Sequence, residues 1–226
     1  MQLIELQKKI GYKFKNENLL VLALTHSSYV NEHGMTHVDC NERIEFLGDA
    51  VLELASSDFL YKSYPEVNEG TLTKTRASLV CEMALSEVAR NIELNKYILL
   101  GKGEDSSGGR FRDSILSDAL ESVIGAIYLD GGFTNAKEFV DKFVMCDIEK
   151  RKLFFDSKTI LQELVQSKNL GDIRYELIET NGPDHDKTFL SQVVIGGTVF
   201  GKGKSHTKKM SEQQAAFVAI KKINQE

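Results

Sequence analysis

The spacing of apolar residues changes once along this chain, near residue 150, and that change limits the folds it can adopt. Upstream, apolar side chains recur at intervals of three and four residues, as over 115–127, which is the period of an amphipathic helix. Downstream, one helical stretch is followed by three β-rich runs and a closing helical stretch. The sequence therefore predicts a multidomain protein: an all-α domain over 1–150, a linker over 151–156, and a small α+β domain of order α-β-β-β-α over 157–226.

Glycines mark the breaks between these elements. Gly196 and Gly197 lie between two β-rich runs, and a two-residue hairpin turn favours residues that adopt positive φ at both central positions. We therefore predict a β-hairpin there. In the helical domain, the glycine-rich stretch 101–109 is interpreted as a flexible loop, and Asp-Gly-Gly at 130–132 as a helix break.

The composition is typical of a globular protein. Of its 226 residues, 42% are hydrophobic, which is enough for an ordinary core. No apolar run approaches the roughly 20 residues that span a bilayer, and the N-terminal stretch lacks the apolar centre of a signal peptide. We expect a cytoplasmic protein with no membrane partner. Cys40, Cys81 and Cys146 are odd in number and form no Cys-x-x-Cys pair, so we expect reduced thiols in or near the core rather than disulfides or a zinc site.

Charge is divided unevenly along the chain. The net charge is −5 overall, −7 over residues 1–156 and +2 over residues 157–226. Six lysines and a single acid, Glu212, fall within 202–222. The last third therefore carries a basic patch on an otherwise acidic molecule.

Four carboxylates share one face of a predicted helix in the segment NERIEFLGDAVLEL, residues 41–54. Glu42, Glu45, Asp49 and Glu53 are spaced by three, four and four residues, which places them within an arc of about 80°. Like charges at this spacing cost roughly a few tenths of a kcal/mol per pair, and the nearby stretch offers only Arg43 as a base. Two interpretations are open: a solvated acidic face, or a face that binds a cation.

A second pair of acids favours the cation. Asp118 and Glu121 lie three residues apart on one face of another strongly apolar predicted helix, so two helices could bring four carboxylates together. Oxygen ligands without His or Cys suit Mg2+ better than Zn2+. Such a site lowers the pKa of a bound water and stabilises a leaving alkoxide. Phosphodiester hydrolysis is its natural use.

The segment NERIEFLGDAVLEL also resembles the signature of the bacterial ribonuclease III family, endonucleases that cut double-stranded RNA. Further blocks resemble those of the family in the same order: LTHSSYVNE, EGTLTKTRASLV, LGKGEDSSGGR and SILSDALESVIGAIYLDGG. Residues 157–226 resemble a double-stranded RNA-binding domain. The resemblance covers nearly the whole chain and implies a hydrolase whose partner is double-stranded RNA.

The resemblance also implies roles for the paired acids. Glu45, Asp118 and Glu121 would be ligands of Mg2+, with Mn2+ as a substitute. Asp49 and Glu121 would be the residues most needed for cleavage. The implied products carry 5'-phosphate and 3'-hydroxyl ends with short 3' overhangs, and the implied substrates are ribosomal RNA precursors and some messenger RNAs.

Other residues of the first domain have lesser implied roles. Glu42 matches a family acid nearer the rim of the site, and Glu69 is a candidate neighbour of the ligands. Glu53 has no counterpart, so we expect it only to be solvated. The family is homodimeric through this domain, and Phe46, beside Glu45, is the candidate dimer contact.

In the second domain, the resemblance and the chemistry of the side chains indicate three RNA contacts. Gln162 and Glu163 on the first helix could reach 2'-hydroxyls in the wide minor groove of RNA. His185, at the tip of the loop after the first strand, matches a second minor-groove contact. Lys208 and Lys209, at the start of the closing helix, suit phosphates because a helix N-terminus favours anions.

Two other functions stay open at this point. A double-stranded RNA binder that regulates without cutting would carry the acids as a structural cluster or passive cation site, and a nuclease for single strands or DNA is a weaker third. Residues 196–202, G-G-T-V-F-G-K, imitate a phosphate-binding loop. However, Gly203 stands where Ser or Thr is needed and the glycines lie between β-rich runs, so we expect no nucleotide cofactor.

Overall fold

The computed structural model describes residues 2–146, 148, 157–182, 187–205 and 207–224. The chain forms two compact units, Met1–Cys146 and Asp147–Glu226. The stretch 151–156, predicted as the linker, lies outside the described residues. No helix in the described part of the chain is both long and apolar enough to cross a membrane. Cys40 is buried and Cys81 partly buried, whereas Cys146 is exposed, so the expectation of a thiol in or near the core was wrong for Cys146.

The first unit is helical. Its α-helices in the described residues are α1 (Gln2–Ile10), α2 (Glu17–Ala23), α3 (Ser27–Glu32), α4 (Glu42–Ser63), α5 (Glu69–Leu79), α6 (Glu82–Asn91), α7 (Lys102–Ser106) and α8 (Asp113–Phe143). The β pairing found in the described part of this unit is a single bridge between Thr25 and Leu99. The prediction of an all-α domain is confirmed.

Helices α4 and α8 form the centre of this unit, and α8 also packs against α2 and α6. Both central helices bury large apolar side chains almost completely, namely Leu52, Leu60, Leu116, Leu120, Ile124 and Ile127. Burial of one such side chain contributes roughly 1.5–3 kcal/mol. The two central helices therefore contribute a large part of the apolar core of the unit.

Two glycines let α4 and α8 touch backbone to backbone. A Cβ atom added at Gly48 would lie 1.8 Å from the carbonyl oxygen of Glu121, and one added at Gly125 would lie 2.4 Å from that of Ile44. Neither distance can be tolerated without moving a helix, because the atoms approached belong to backbone. The close approach therefore depends on both glycines, and neither was among the residues singled out from the sequence.

Helix α8 bends at Gly132, where φ is 79° and ψ is 178°. The carboxylate of Asp130, just before the bend, accepts hydrogen bonds from the Tyr12 hydroxyl at 2.7 Å and from the backbone N–H groups of Lys15 and Asn16, both at 2.9 Å. The predicted break is confirmed, and it is fixed to the connection between α1 and α2.

The prediction of a flexible loop over 101–109 was wrong. The stretch contains helix α7, and the guanidinium of Arg110 holds its C-terminal side. That guanidinium donates to both carboxylate oxygens of Asp105, each at 2.9 Å, and to the backbone carbonyls of Asn95 and Ile98 at 2.7 and 2.8 Å. Glycine content alone suggested mobility. The stretch is held by the hydrogen bonds of Arg110 to Asp105 within it and to two backbone carbonyls before it, which glycine content does not reveal.

The second unit has the predicted order. Its elements are α9 (Ser157–Ser167), β1 (Ile173–Asn181), β2 (Thr188–Ile195), β3 (Thr198–Ser205) and α10 (Lys208–Ile223). The strands form one antiparallel sheet in the order β1-β2-β3. Gly196 and Gly197 connect β2 to β3 with φ of 55° and 85°, so the predicted hairpin is confirmed.

Helix α10 packs directly on β3 through two more glycines. A Cβ atom at Gly201 would lie 2.2 Å from the carbonyl oxygen of Ala215, and one at Gly203 would lie 2.2 Å from that of Ser211. The core between the helices and the sheet is apolar and includes Leu161, Val165, Val193, Ile195, Ala216 and Ile220. The helices therefore cover one face of the sheet.

We expect Gly48→Ala to destabilise the first unit, because the added methyl group collides with the backbone of Glu121. Overpacking costs about 1–3 kcal/mol, which outweighs the gain of about 1 kcal/mol in helix propensity. Urea denaturation measures the change in the free energy of unfolding. The control is Gly103→Ala on α7, where nothing lies within 4 Å of the new atom. Equal stability of the two variants would show that α4 and α8 can separate at no cost.

Candidate active site

Three carboxylates converge where α4 meets α8. One oxygen from each of Glu45, Asp118 and Glu121 lies within 4.8 Å of the other two, and all three side chains are partly buried. Glu45 belongs to α4, whereas Asp118 and Glu121 belong to α8. The structure thus brings together the three residues named from the sequence as metal ligands.

The helix contact explains the convergence. Glu45 lies three residues before Gly48, and Asp49 directly follows Gly48. On the other helix, the backbone of Glu121 is itself the surface against which Gly48 packs. Side chains three or four residues apart share a helical face, so the acids of both helices flank the point of closest approach.

The cluster is electrostatically unfavourable in the absence of a cation. Burial, followed by the charges of Asp118, Glu42 and Asp49, raises the pKa of Glu45 to about 7. The pKa of Glu121 is raised to about 8, mainly by burial and then by the charges of Asp49, Glu45, Asp118 and Glu53. The pKa of Asp118 is also raised, mainly by burial.

No lysine or arginine in the described residues forms a salt bridge with Glu45, Asp118 or Glu121. Buried charges are normally paired or coordinate a metal. The donor set is entirely carboxylate oxygen, which suits a hard divalent cation such as Mg2+. The residues present therefore fit a metal ion, and the positive charge missing from the protein is what such an ion supplies.

The remaining acids of α4 lie around this group. Asp49 is exposed and is not one of the three converging ligands, yet it is close enough for its charge to raise the pKa of both Glu45 and Glu121. Glu42 is exposed at the start of the helix, and its charge acts on Glu45. Glu69 begins α5 and accepts a hydrogen bond from Thr73, outside the group of three.

The prediction that Glu53 is only solvated was wrong. Its carboxylate lies 2.7 Å from Nε of Arg76 on α5, and the same guanidinium donates to the hydroxyl of Ser57 at 2.7 Å. Arg76 lies 23 residues further along the chain, so local spacing could not reveal the partner. This ion pair partly offsets the charge of Glu53, which lies one turn beyond Asp49 on the acidic face of α4.

His26 is a neighbour of the site that sequence reasoning missed. It caps α3, where its Nδ1 lies 2.8 Å from the Ser28 hydroxyl and accepts the Ser28 N–H at 3.2 Å. Burial raises the pKa of Asp118, and a hydrogen bond from Ser117 lowers it. Two smaller effects come from neighbouring charges: Glu82 raises this pKa and His26 lowers it. The available signal was the block LTHSSYVNE, which was used only to support the family resemblance.

The candidate RNA contacts of the second unit lie on two helices. Gln162 and Glu163 are exposed on α9, next to buried Leu161. Lys208 and Lys209 are exposed as the first residues of α10, whose N-cap, Thr207, accepts the backbone N–H of Met210 at 3.2 Å. His185 lies outside the described residues.

Comparison with known proteins places the chain in a family. A Ribonuclease-III-like family pattern matches residues 16–148, and a Double-stranded RNA binding motif matches residues 157–223. The chain is 49% identical over 221 residues to Ribonuclease 3 of Caldanaerobacter subterraneus subsp. tengcongensis, with 96% of each chain covered. It is 48% identical over 221 residues to Ribonuclease 3 of Listeria monocytogenes serovar 1/2a, covering 97% of this chain and 96% of that one. The chain belongs to the ribonuclease III family.

A solved structure supports the same assignment for the helical unit. The nuclease domain of ribonuclease III from Campylobacter jejuni is 41% identical, with a TM-score of 0.58, and the match covers 62% of this chain and 94% of that one. The protein is therefore a double-stranded RNA endoribonuclease, in which a helical ribonuclease III domain precedes a double-stranded RNA-binding domain.

The stability of this ribonuclease III without metal should fall as pH rises. Glu45 and Glu121 have folded-state pKa values of about 7 and 8 against an ordinary value of 4.5, so the folded state holds protons that the unfolded state releases. Stability then decreases with pH between about 4.5 and 8. In EDTA, we expect Glu121→Gln to be more thermostable relative to wild type at pH 8.5 than at pH 5.5, because the amide carries no charge.

Differential scanning calorimetry of both proteins at the two pH values measures this difference in Tm. Comparing wild type with the variant cancels the titration of unrelated groups. Mg2+ added at pH 8.5 should raise the Tm of wild type more than that of Glu121→Gln, because binding to the folded state stabilises it. A Tm difference that is independent of pH would contradict the proposed burial of charge.

Proposed function

We propose that this enzyme hydrolyses phosphodiester bonds of double-stranded RNA at the cluster of Glu45, Asp118 and Glu121, using Mg2+ as its natural ion and Mn2+ as a substitute. The observation that carries the proposal is the convergence of three partly buried carboxylates within 4.8 Å, with no salt bridge to any of them in the described residues. The products would carry 5'-phosphate and 3'-hydroxyl ends with short 3' overhangs.

The protein groups would divide the work. Glu45, Asp118 and Glu121 would hold the ion, which when bound supplies a Lewis acid and a water of lowered pKa. Asp49 is exposed beside them, where its carboxylate can accept a hydrogen bond from a water and orient it towards a phosphate. Glu121 would serve both as ligand and as the residue whose negative charge is most needed for cleavage.

The second unit would bind the duplex by shape. We assign the domain to residues 157–226, the linker to 151–156 and the catalytic domain to 1–150. Gln162 and Glu163 would contact 2'-hydroxyls in one minor groove, and His185 would contact the next. Lys208 and Lys209 would contact the phosphates between them. Such contacts read A-form geometry rather than base sequence.

A homodimer of the catalytic domain would give each strand its own site. Phe46 is 81% exposed, and the same helix exposes Leu54 by 58% and Tyr61 by 75%. At 100° per residue these three side chains fall within an arc of about 80°, which makes a continuous apolar stripe along α4. The nuclease domain from Campylobacter jejuni shows structural flexibility in a region involved in its dimer formation, in agreement with an interface on this unit.

The substrates we propose are ribosomal RNA precursors and some messenger RNAs, and the location we propose is the cytoplasm, where bacterial RNA is processed. The competing function is a double-stranded RNA binder that does not cut. The acid cluster favours the enzyme. Four carboxylates around one helix contact repel one another, and a protein that only binds RNA gains nothing from that repulsion.

Glu121→Gln should abolish cleavage while the duplex remains bound through the second unit. The amide keeps the shape of the side chain but removes the charge that holds the ion, and loss of an essential group commonly lowers the rate by about 100-fold or more. Cleavage of a labelled RNA duplex with Mg2+ and retention of the duplex in a gel shift measure the two activities. The matched control is Glu138→Gln, an exposed acid further along α8, which should cut normally. If wild type binds the duplex with Mg2+ but does not cut it, or if Glu121→Gln cuts normally, Mg2+-dependent cleavage at this cluster is wrong.

Phe46→Ser should weaken the dimer. The Phe46 side chain, exposed in one subunit, would be buried in the dimer. Replacing it with serine should remove roughly 1.5–3 kcal/mol of association free energy for each of the two copies. Sedimentation equilibrium across a concentration series measures the dissociation constant, and the folded state is checked by circular dichroism. Phe111→Ser is the control, since Phe111 is also exposed in this unit but does not lie on α4. An unchanged dissociation constant for Phe46→Ser would place the interface elsewhere.

A further inference from the structure

Two of the three proposed RNA contact sets of the second unit lie on separate helices, so the separation of these helices matters. Gln162 and Glu163 are on α9, and Lys208 and Lys209 begin α10. A duplex presents its minor groove and the adjacent phosphates at a fixed distance, set by A-form geometry. Both contact sets can engage the same duplex only if the two helices are held at the matching separation.

One side chain ties the two helices together near these contacts. The ammonium of Lys158, the second residue of α9, donates to Oε2 of Glu212 on α10 at 2.6 Å. The backbone N–H of Lys158 donates to Oε1 of Gln213 at 2.9 Å. The side chain of Glu212 is only 15% exposed, whereas that of Lys158 is 36% exposed, so water screens this pair somewhat less than a fully exposed ion pair.

The sheet encloses the same ammonium from another side. Nζ of Lys158 lies over the ring of Tyr175 on β1, 4.3 Å from its centroid, which is a favourable cation–π distance. The Tyr175 hydroxyl is buried and has no hydrogen-bond partner among the described residues. The ring therefore acts as an apolar wall for Lys158, and α9, α10 and β1 meet at this one charge.

The position of the tie within the helices is informative. Lys158 lies one helical turn before Gln162, and Glu212 lies one turn after Lys208. A second tie between the same two helical segments is at the opposite end, where the ammonium of Lys168, just after α9, donates to the carbonyl of Ile223 at 3.3 Å. Only the first tie adjoins both sets of contacts.

We propose that Lys158 and Glu212 are positioning residues for RNA binding, whose ion pair holds α9 and α10 at the separation that lets both contact sets meet one duplex. The inference rests on the RNA contacts proposed above. Neither residue has to touch RNA for this role, which distinguishes it from a further phosphate contact.

The direction in which one substitution changes RNA affinity distinguishes a positioning role from a simple effect of charge. Glu212→Met removes a negative charge close to Lys208 and Lys209, so electrostatics alone would tighten RNA binding. Positioning requires the opposite result: binding weakened by about tenfold, the order expected for one lost charge-assisted hydrogen bond. Fluorescence anisotropy of the full chain with a labelled RNA duplex of about 20 base pairs, in EDTA so that no cleavage occurs, measures the Kd.

Three further variants test the pair itself. Lys158→Met should weaken binding to the same degree as Glu212→Met, and the double variant should be no weaker than either single one, because both remove a single interaction. Lys158→Arg should bind within about twofold of wild type, because it retains a partner for Glu212. Lys168→Met is the matched control: it breaks the tie at the far end and should leave the Kd within about twofold of wild type. Thermal melting confirms that each protein is folded at the assay temperature.

The double variant Lys208→Ala, Lys209→Ala separates this inference from the proposed function. If it binds like the control Lys221→Ala, Lys222→Ala, the proposed phosphate contacts are wrong and the inference falls with them. If it binds more weakly but Glu212→Met binds as well as wild type or better, only the positioning role is wrong. If Glu212→Met is unfolded, the milder Glu212→Gln takes its place and is judged by the same direction of change in the Kd. An equal loss of affinity in Lys168→Met would also overturn the inference.

Discussion

The backbone contact between α4 and α8 is the constraint on which the candidate active site depends. Packed helices usually keep their axes about 8–10 Å apart, and side chains fill the space between them. Gly48 and Gly125 remove those side chains, so that the two backbones meet. Carboxylates that flank the contact then reach the same small volume. Without the two glycines, the acids of each helix would remain solvated on separate surfaces.

The same contact makes the acid cluster tolerable for the fold. Partial burial and mutual repulsion disfavour the ionised forms of Glu45 and Glu121, and a flexible site would relax by moving the acids apart. Here the acids extend from helices that each also carry a buried face, with Leu52 and Leu60 on α4 and Leu120 and Ile124 on α8, so the core opposes that relaxation. The geometry is retained because the helices are fixed, and a cation can then relieve the repulsion without further rearrangement.

The sequence predicted those features that depend on local periodicity. The helical spacing of Glu45 with Asp49, and of Asp118 with Glu121, follows from about 100° per residue and needs no knowledge of the fold. The hairpin at Gly196 and Gly197 is likewise local. What spacing could not supply was the approach of the two helices, which depends on how glycines face each other across a contact. The partner of Glu53 was missed for the same reason, because Arg76 lies on another helix.

The division of charge along the chain has a consequence for how metal and RNA bind. Residues 1–156 carry a net charge of −7, so the catalytic unit repels phosphate, and the attraction must come from the lysines of the second unit. A divalent cation held by the acid cluster would offset most of the negative charge where a phosphate has to approach. Each of the two ligands should then increase the affinity of the enzyme for the other by the same factor, since such coupling is reciprocal. An acidic nuclease can in this way bind RNA weakly at its active site without metal and more tightly with it.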